Sequence, residues 1–200
     1  MDSARVAVLR ELLSATGWVD RTRTFARVLR RSTTTPGGLL LVGTPQAEPW
    51  HLAAHLDDES RYAGIPELSP TLVRWQAPAG APKHLAFTMS RLEAAGRGET
   101  VFVVAEEVAP DSLLERVQDA RTHGATVLSV DGGDTELQSL SHESLTIVQD
   151  DLVIPELSFD TVTHLVSVAA GEVDARARKG FRDRLARALD VVSGPAPNRR

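Results

Sequence analysis

Two hundred residues, 42% of them hydrophobic and 24% charged, suffice to bury the core of one domain of ordinary size. There is no cysteine, which excludes disulfides and thiolate metal sites, and no apolar run approaches membrane-spanning length. Residues 1–36 and 172–200 each carry net +4 and leave −13 for residues 37–171, a balance that weighs against a nucleic-acid surface on the main body.

In chain order, residues 3–16 read as a helix with Val6, Leu9, Leu12 and Leu13 on one stripe. Asp2, Arg5, Arg10 and Glu11 crowd the same stretch, so it does not read as a secretory leader, and a cytoplasmic protein without membrane partners is the expectation. Gly17 interrupts, and a second helix spans Val19 to Arg31 on Phe25, Val28 and Leu29. Thr33 to Gly38 is a turn signal, and Gly38–Gly43 is a short apolar run of the kind buried on both faces of a sheet.

Pro49 to Leu56 then places His51 and His55 one helical turn apart on one face, a spacing at which two imidazoles can share a metal ion. Leu52 stands where the H-E-x-x-H pattern of a metalloprotease requires glutamate. Pro70–Trp75 is a second strand, Pro82–Ala95 a helix carrying Leu85, Met89 and Leu92, and Thr100–Ala105 a third strand. Asp111 to His123 is a helix with Asp111 or Ser112 near its N-cap and Gly124 as its stop. Thr126–Val130 is strand four, a short helix covers Thr135–Leu140, and Leu145–Val148 is strand five. Helices over Ser158–Ala170 and Val173–Val192 follow, the latter basic, and residues 194–200 are expected to form a disordered tail.

Strands alternating with helices predict an α/β fold: a doubly wound, five-stranded parallel sheet covered on both faces, with a helical pair before it. The expected organisation is one domain over residues 1–193, with N-terminal helices to 36, a core over 37–171 and a C-terminal helix over 172–193. In such sheets ligands sit at the carboxyl ends of the strands, here after strands one and three.

The order of elements and several local sequences resemble the sugar isomerase (SIS) domain family, and within it the phosphoheptose isomerase group, over residues 3–171. That group has N-terminal helices, a strand ending in a G-N-G-G-S type loop and a helix reading H-F-A-x-E-L. Gly43-Thr44-Pro45-Gln46-Ala47 and His51-Leu52-Ala53-Ala54-His55-Leu56 occupy those places here. Ala120-Arg121-Thr122-His123-Gly124 matches an A-R-x-x-G helix end that leads into the next strand. His164 matches a late histidine, and Glu156 a glutamine eight residues earlier. The resemblance implies a flavodoxin-type sheet, a homodimer or homotetramer built with the N-terminal helices, and a sugar-like ligand. For catalysis it implies acid–base work at His55 and His164. For a cofactor it implies zinc on His51, His55, Glu156 and His164.

The departures fall where phosphate should bind. Family members hold it with serines and threonines in the loops after strands one and three, the latter reading S-x-S-G-N-S or similar. Here the first loop has Pro45 and Ala47, and the second reads Ala105-Glu106-Glu107-Val108-Ala109-Pro110. Carboxylates repel phosphate and a proline removes a backbone donor, so an ordinary phosphosugar isomerase is not expected. Glu106 and Glu107 themselves read as solvated loop charges. Two readings remain: a metal-dependent, isomerase-like enzyme on an unphosphorylated substrate, and a degenerate module kept for assembly, regulation or protein binding. An open polar cleft favours the first, and one filled by Trp50, Trp75 and Tyr62 the second.

Overall fold

The computed structural model describes residues 17–77, 79–80, 87–147 and 159–172. The helices expected at 3–16 and 173–192, the tail, and Glu156 lie outside the described residues.

Five strands form one parallel sheet: β1 (Leu39–Gly43), β2 (Thr71–Val73), β3 (Thr100–Ala105), β4 (Thr126–Asp131) and β5 (Glu143–Thr146), in the order β2-β1-β3-β4-β5. The helices between them are α1 (Trp18–Ser32), before β1, then α2 (Trp50–Ala63), α3 (Ser90–Glu93), α4 (Asp111–Thr122), α5 (Thr135–Leu140) and α6 (Phe159–Ala170). Every residue of β1 and β3 is buried, which is why these strands read as unbroken apolar runs. Alternate side chains serve opposite layers. Leu39, Leu41, Phe102, Val104, Leu128 and Val130 pack under α1, α2 and α6, with Phe25 and Phe102 ring centroids 5.4 Å apart. Leu40, Val42, Val101, Val103 and Val127 pack under α3, α4 and α5. The doubly wound order expected from the pattern is present, and it reverses between β1 and β3, where the loops after those strands diverge to opposite faces.

The structure differs from the sequence reading at three elements. The helix expected over Pro82–Ala95 is reduced, among the described residues, to the single turn of α3. Residues before it are extended instead: the Arg74 N–H donates to the Phe87 carbonyl at 2.8 Å, and Arg74 and Thr88 form a parallel bridge. Strand five starts two residues earlier than expected, because Glu143 pairs with Leu128 and Ser144 with Ser129. The N-cap of α4 is Pro110, and neither Asp111 nor Ser112 caps it. Its C-terminus is as expected. Gly124 takes φ +95°, and the Ala125 N–H returns to the Ala120 carbonyl at 3.0 Å, the six-to-one bond of a glycine-terminated helix.

α1 spends its apolar stripe within the chain. Phe25, Ala26 and Leu29 are fully buried against α6 and the sheet. At its carboxyl end Arg30 donates to the carbonyls of Ala169, Ala170 and Glu172, supplying donors that the end of α6 lacks. Burial holds that guanidinium's pKa below its usual value, while Glu172 works the other way.

Candidate functional site

The loop after β1 is built around a close approach. A side chain on Gly43 would overlap the Ala47 carbonyl oxygen and lie 2.7 Å from the Pro49 ring, so only glycine lets the chain fold back there. The Thr44 hydroxyl, buried, accepts from the Ala47 N–H at 3.3 Å. From the neighbouring segment the Trp75 indole N–H donates to the Gly43 carbonyl at 2.9 Å. Glu48 closes the arrangement. It accepts from Arg74 Nε at 3.1 Å and from the Trp75 N–H at 3.2 Å, and the Arg74 guanidinium lies 4.3 Å from the Trp50 ring centroid. This half-buried stack fixes where α2 begins, just past the carboxyl end of β1.

The loop after β3 is fixed from its other side. A Cβ on Gly132, after β4, would overlap the Glu106 carbonyl oxygen. Asp134 caps α5 through the Glu136 and Leu137 N–H groups, and its second oxygen accepts from the Ala109 N–H at 2.8 Å. Asp131, wholly buried at the end of β4, accepts from Ser129, Ser144, Gln138 and the Gly133 N–H at 2.6–3.2 Å. Every donor there is spent on holding the turn.

Between these loops and α6 lies a cleft of about 320 Å³, with Leu52, Val104 and Phe159 as its apolar part and Glu48, His51, Glu106, Asp160 and Thr163 as its polar part. Trp50, 44% exposed, stands at its edge. The cleft is therefore open. Trp75 is tied to Gly43 and Tyr62 is 78% exposed, so neither fills it.

Of the residues singled out from the sequence, His51 lines this cleft and is exposed, whereas His55 and His164 do not line it. Those two meet one another instead, half-buried, as an edge-to-face pair with ring centroids 4.1 Å apart. Burial, and second the neighbouring His55, push the His164 pKa down to about 4. Burial also lowers that of His55, with His51 adding to the effect and Asp58 opposing it. Both rings are thus neutral near pH 7. Among the described residues no three histidine, aspartate or glutamate side chains are grouped so as to hold a metal ion. Two imidazoles on one zinc at 2.0–2.1 Å per nitrogen have centroids about 5 Å apart, so this pair is too close for shared ligation as it stands. Glu48, Arg74, Asp160 and Thr163 carried no motif. They are brought together by the sheet order, not by spacing along the chain.

No protein-family model and no curated protein matches the chain. Solved structures do match its shape. A protein of Silicibacter pomeroyi named as a phosphosugar isomerase superposes with a TM-score of 0.55 and 14% identity, covering 94% of this chain and 53% of that one. The sugar isomerase domain of the RpiR transcription factor from Sphaerobacter thermophilus superposes with a TM-score of 0.51 and 11% identity over 84% of this chain and 86% of that one. The fold is that of a sugar isomerase domain. The Vibrio vulnificus NanR protein, solved with ManNAc-6P, shares it at a TM-score of 0.51 and 15% identity, over 96% of this chain and 75% of that one. The chain spans about half the length of the first structures it matches, 53% and 51% of the two named as phosphosugar isomerases.

Within that fold, the two loops after β1 and β3 have no hydroxyl-rich cradle. Around the start of α4 stand Glu106, Glu107 and Asp111, and the Ala109 N–H is already given to Asp134. A helix start attracts anions through free N–H groups and its positive end, and here carboxylates surround it.

Proposed function

We propose that this chain is a ligand-binding domain of the sugar isomerase fold. In this reading it takes an unphosphorylated, sugar-like molecule in the cleft beside Trp50 and His51 and does not isomerise it. The observation that carries the reading is the loop after β3, where carboxylates and a spent N–H stand in place of hydroxyl donors. A phosphate dianion brought there meets repulsion from these carboxylates at short range. An open cleft with an apolar part, an exposed indole and a few polar groups suits a neutral ring with hydroxyls.

The case against turnover comes from the histidines. Aldose–ketose isomerisation needs an acid and a base on either side of the sugar carbonyl. The pair expected to supply them, His55 and His164, is in mutual contact outside the cleft lining. Proteins that share this fold include a transcription factor, RpiR, and the NanR protein solved with ManNAc-6P.

Calorimetry with neutral sugars and their phosphate esters, run beside NMR of proton exchange at the carbon next to the carbonyl in D2O, tests the reading. Neutral sugars should bind at least as well as their esters, and no exchange should occur. Clear preference for an ester, or enzyme-dependent exchange, overturns it. Zinc at His51, His55, Glu156 and His164 enters as a further arm: exchange that appears only with zinc would restore the isomerase.

A further inference from the structure

We propose that the cleft takes its ligand as a closed sugar ring laid on the indole of Trp50, and that Glu48 and Arg74 are the residues that position that indole. The proposal rests on the binding reading above and names the form of its ligand.

The lining has two kinds of apolar surface. Leu52, Val104 and Phe159 are buried members of the core. Trp50, the first residue of α2, is 44% exposed. An exposed side chain at a helix start is ordinarily free to change rotamer. This one is held. The Arg74 guanidinium lies over its ring, 4.3 Å from the centroid, a planar stacking for which arginine is suited and lysine is not. Arg74 is fixed at both ends: its backbone N–H donates to the Phe87 carbonyl at 2.8 Å and its Nε to Glu48 at 3.1 Å. Glu48 uses its other oxygen to accept from the Trp75 N–H at 3.2 Å, so its carboxylate cannot turn without giving up a bond. The two side chains of this ion pair are 18% and 16% exposed, and solvent screens such a pair less than one on the open surface. A partly buried ion pair is thus spent on orienting a side chain that is itself nearly half exposed.

With one face given to the guanidinium, the cleft reaches the rest of the indole. That surface is flat, apolar and already ordered, so a ligand that lies on it does not have to immobilise it. A pyranose fits. Its C–H face can lie on the indole while its equatorial hydroxyls point outward from the ring edge toward polar lining such as His51 and Thr163. An open-chain polyol has no such face, presents hydroxyls on every side and loses more freedom on being ordered. The cleft's 320 Å³ is at the small end of ligand pockets, room for one ring.

The experiment is calorimetry on the full chain with methyl β-glucopyranoside, locked as a closed ring, and sorbitol, locked open. The variants are Trp50→Leu, Arg74→Lys and both together. The wild type should bind the glucoside about tenfold tighter than sorbitol, and Trp50→Leu should abolish that preference. Arg74→Lys keeps the charge and loses the stack. It should weaken the glucoside about threefold in the wild-type background and not at all beside Trp50→Leu, the non-additivity of a residue that acts through another. Glu48→Gln loosens the same stack without touching Arg74, should weaken the glucoside alone, and takes the place of Arg74→Lys if that variant melts early. Equal binding of the two probes, or a preference that survives Trp50→Leu, overturns this proposal and leaves the cleft reading standing. A loss from Arg74→Lys that persists without the indole overturns the positioning assignment. Binding of neither probe brings down the cleft reading and this proposal with it.

Discussion

His164 shows what a single side chain contributes here. Its pKa is about 4 in the fold, against 6.5 for a free imidazole. The folded state therefore disfavours the proton that the unfolded chain accepts, and stability rises with pH wherever the unfolded state binds more protons. That contribution is complete above about pH 6.5 and is lost as pH falls from there toward 4, by an amount on the order of 2 kcal/mol. Urea unfolding between pH 4 and 7.5 should show the decline. His164→Phe keeps a ring against His55 and should flatten the curve; an unchanged slope would mean that the His55–His164 contact is not what titrates. From the sequence, both histidines were visible as candidates. Their neutralisation by burial was not, since it depends on two helices meeting across about a hundred residues of chain.

At the scale of elements, the strands were legible and the second crossover was not. Leu39–Gly43 and Val101–Ala105 are apolar at every position and buried at every position, so pattern and packing agree. Met89 and Leu92 share a helical spacing too, and both are buried, but through a single turn that follows an extended segment bonded to Arg74. Tertiary pairing outcompeted the local period there. The cleft was half legible: His51 stood out by spacing, whereas the stack of Trp50, Arg74 and Glu48 joins two segments, after β1 and after β2, that are separate along the chain. α1 supplies the test of packing at this scale. Phe25 is 1% exposed and meets Phe102 at 5.4 Å, so Phe25→Ala should cost about 3–5 kcal/mol in urea unfolding. A loss under 1 kcal/mol would mean that α1 is not part of the cooperative core.

For the molecule as a whole, the resemblance to sugar isomerases led to the expectation of a symmetric dimer or tetramer built on the N-terminal helices. Of those two helices, α1 is spent on its own domain, with Phe25, Ala26 and Leu29 turned inward. The stripe of Val6, Leu9, Leu12 and Leu13 expected from the sequence lies outside the described residues, and the expectation of assembly rests on it. Light scattering should give a dimer or larger at micromolar concentration for the full chain, and a smaller species after Leu9→Glu, Leu13→Glu. A monomeric full chain would end the expectation. One consequence concerns how such a domain can change its ligand. Because the Glu106 carbonyl occupies the space a Cβ on Gly132 would need, and Asp134 holds the Ala109 N–H, the crossovers after β3 and β4 form a single mould. A serine-rich loop transplanted into positions 106–110 alone would lose the seat that shapes it. Restoring phosphate recognition in this scaffold calls for exchanging residues 106–110 and 131–134 together, as one inherited unit.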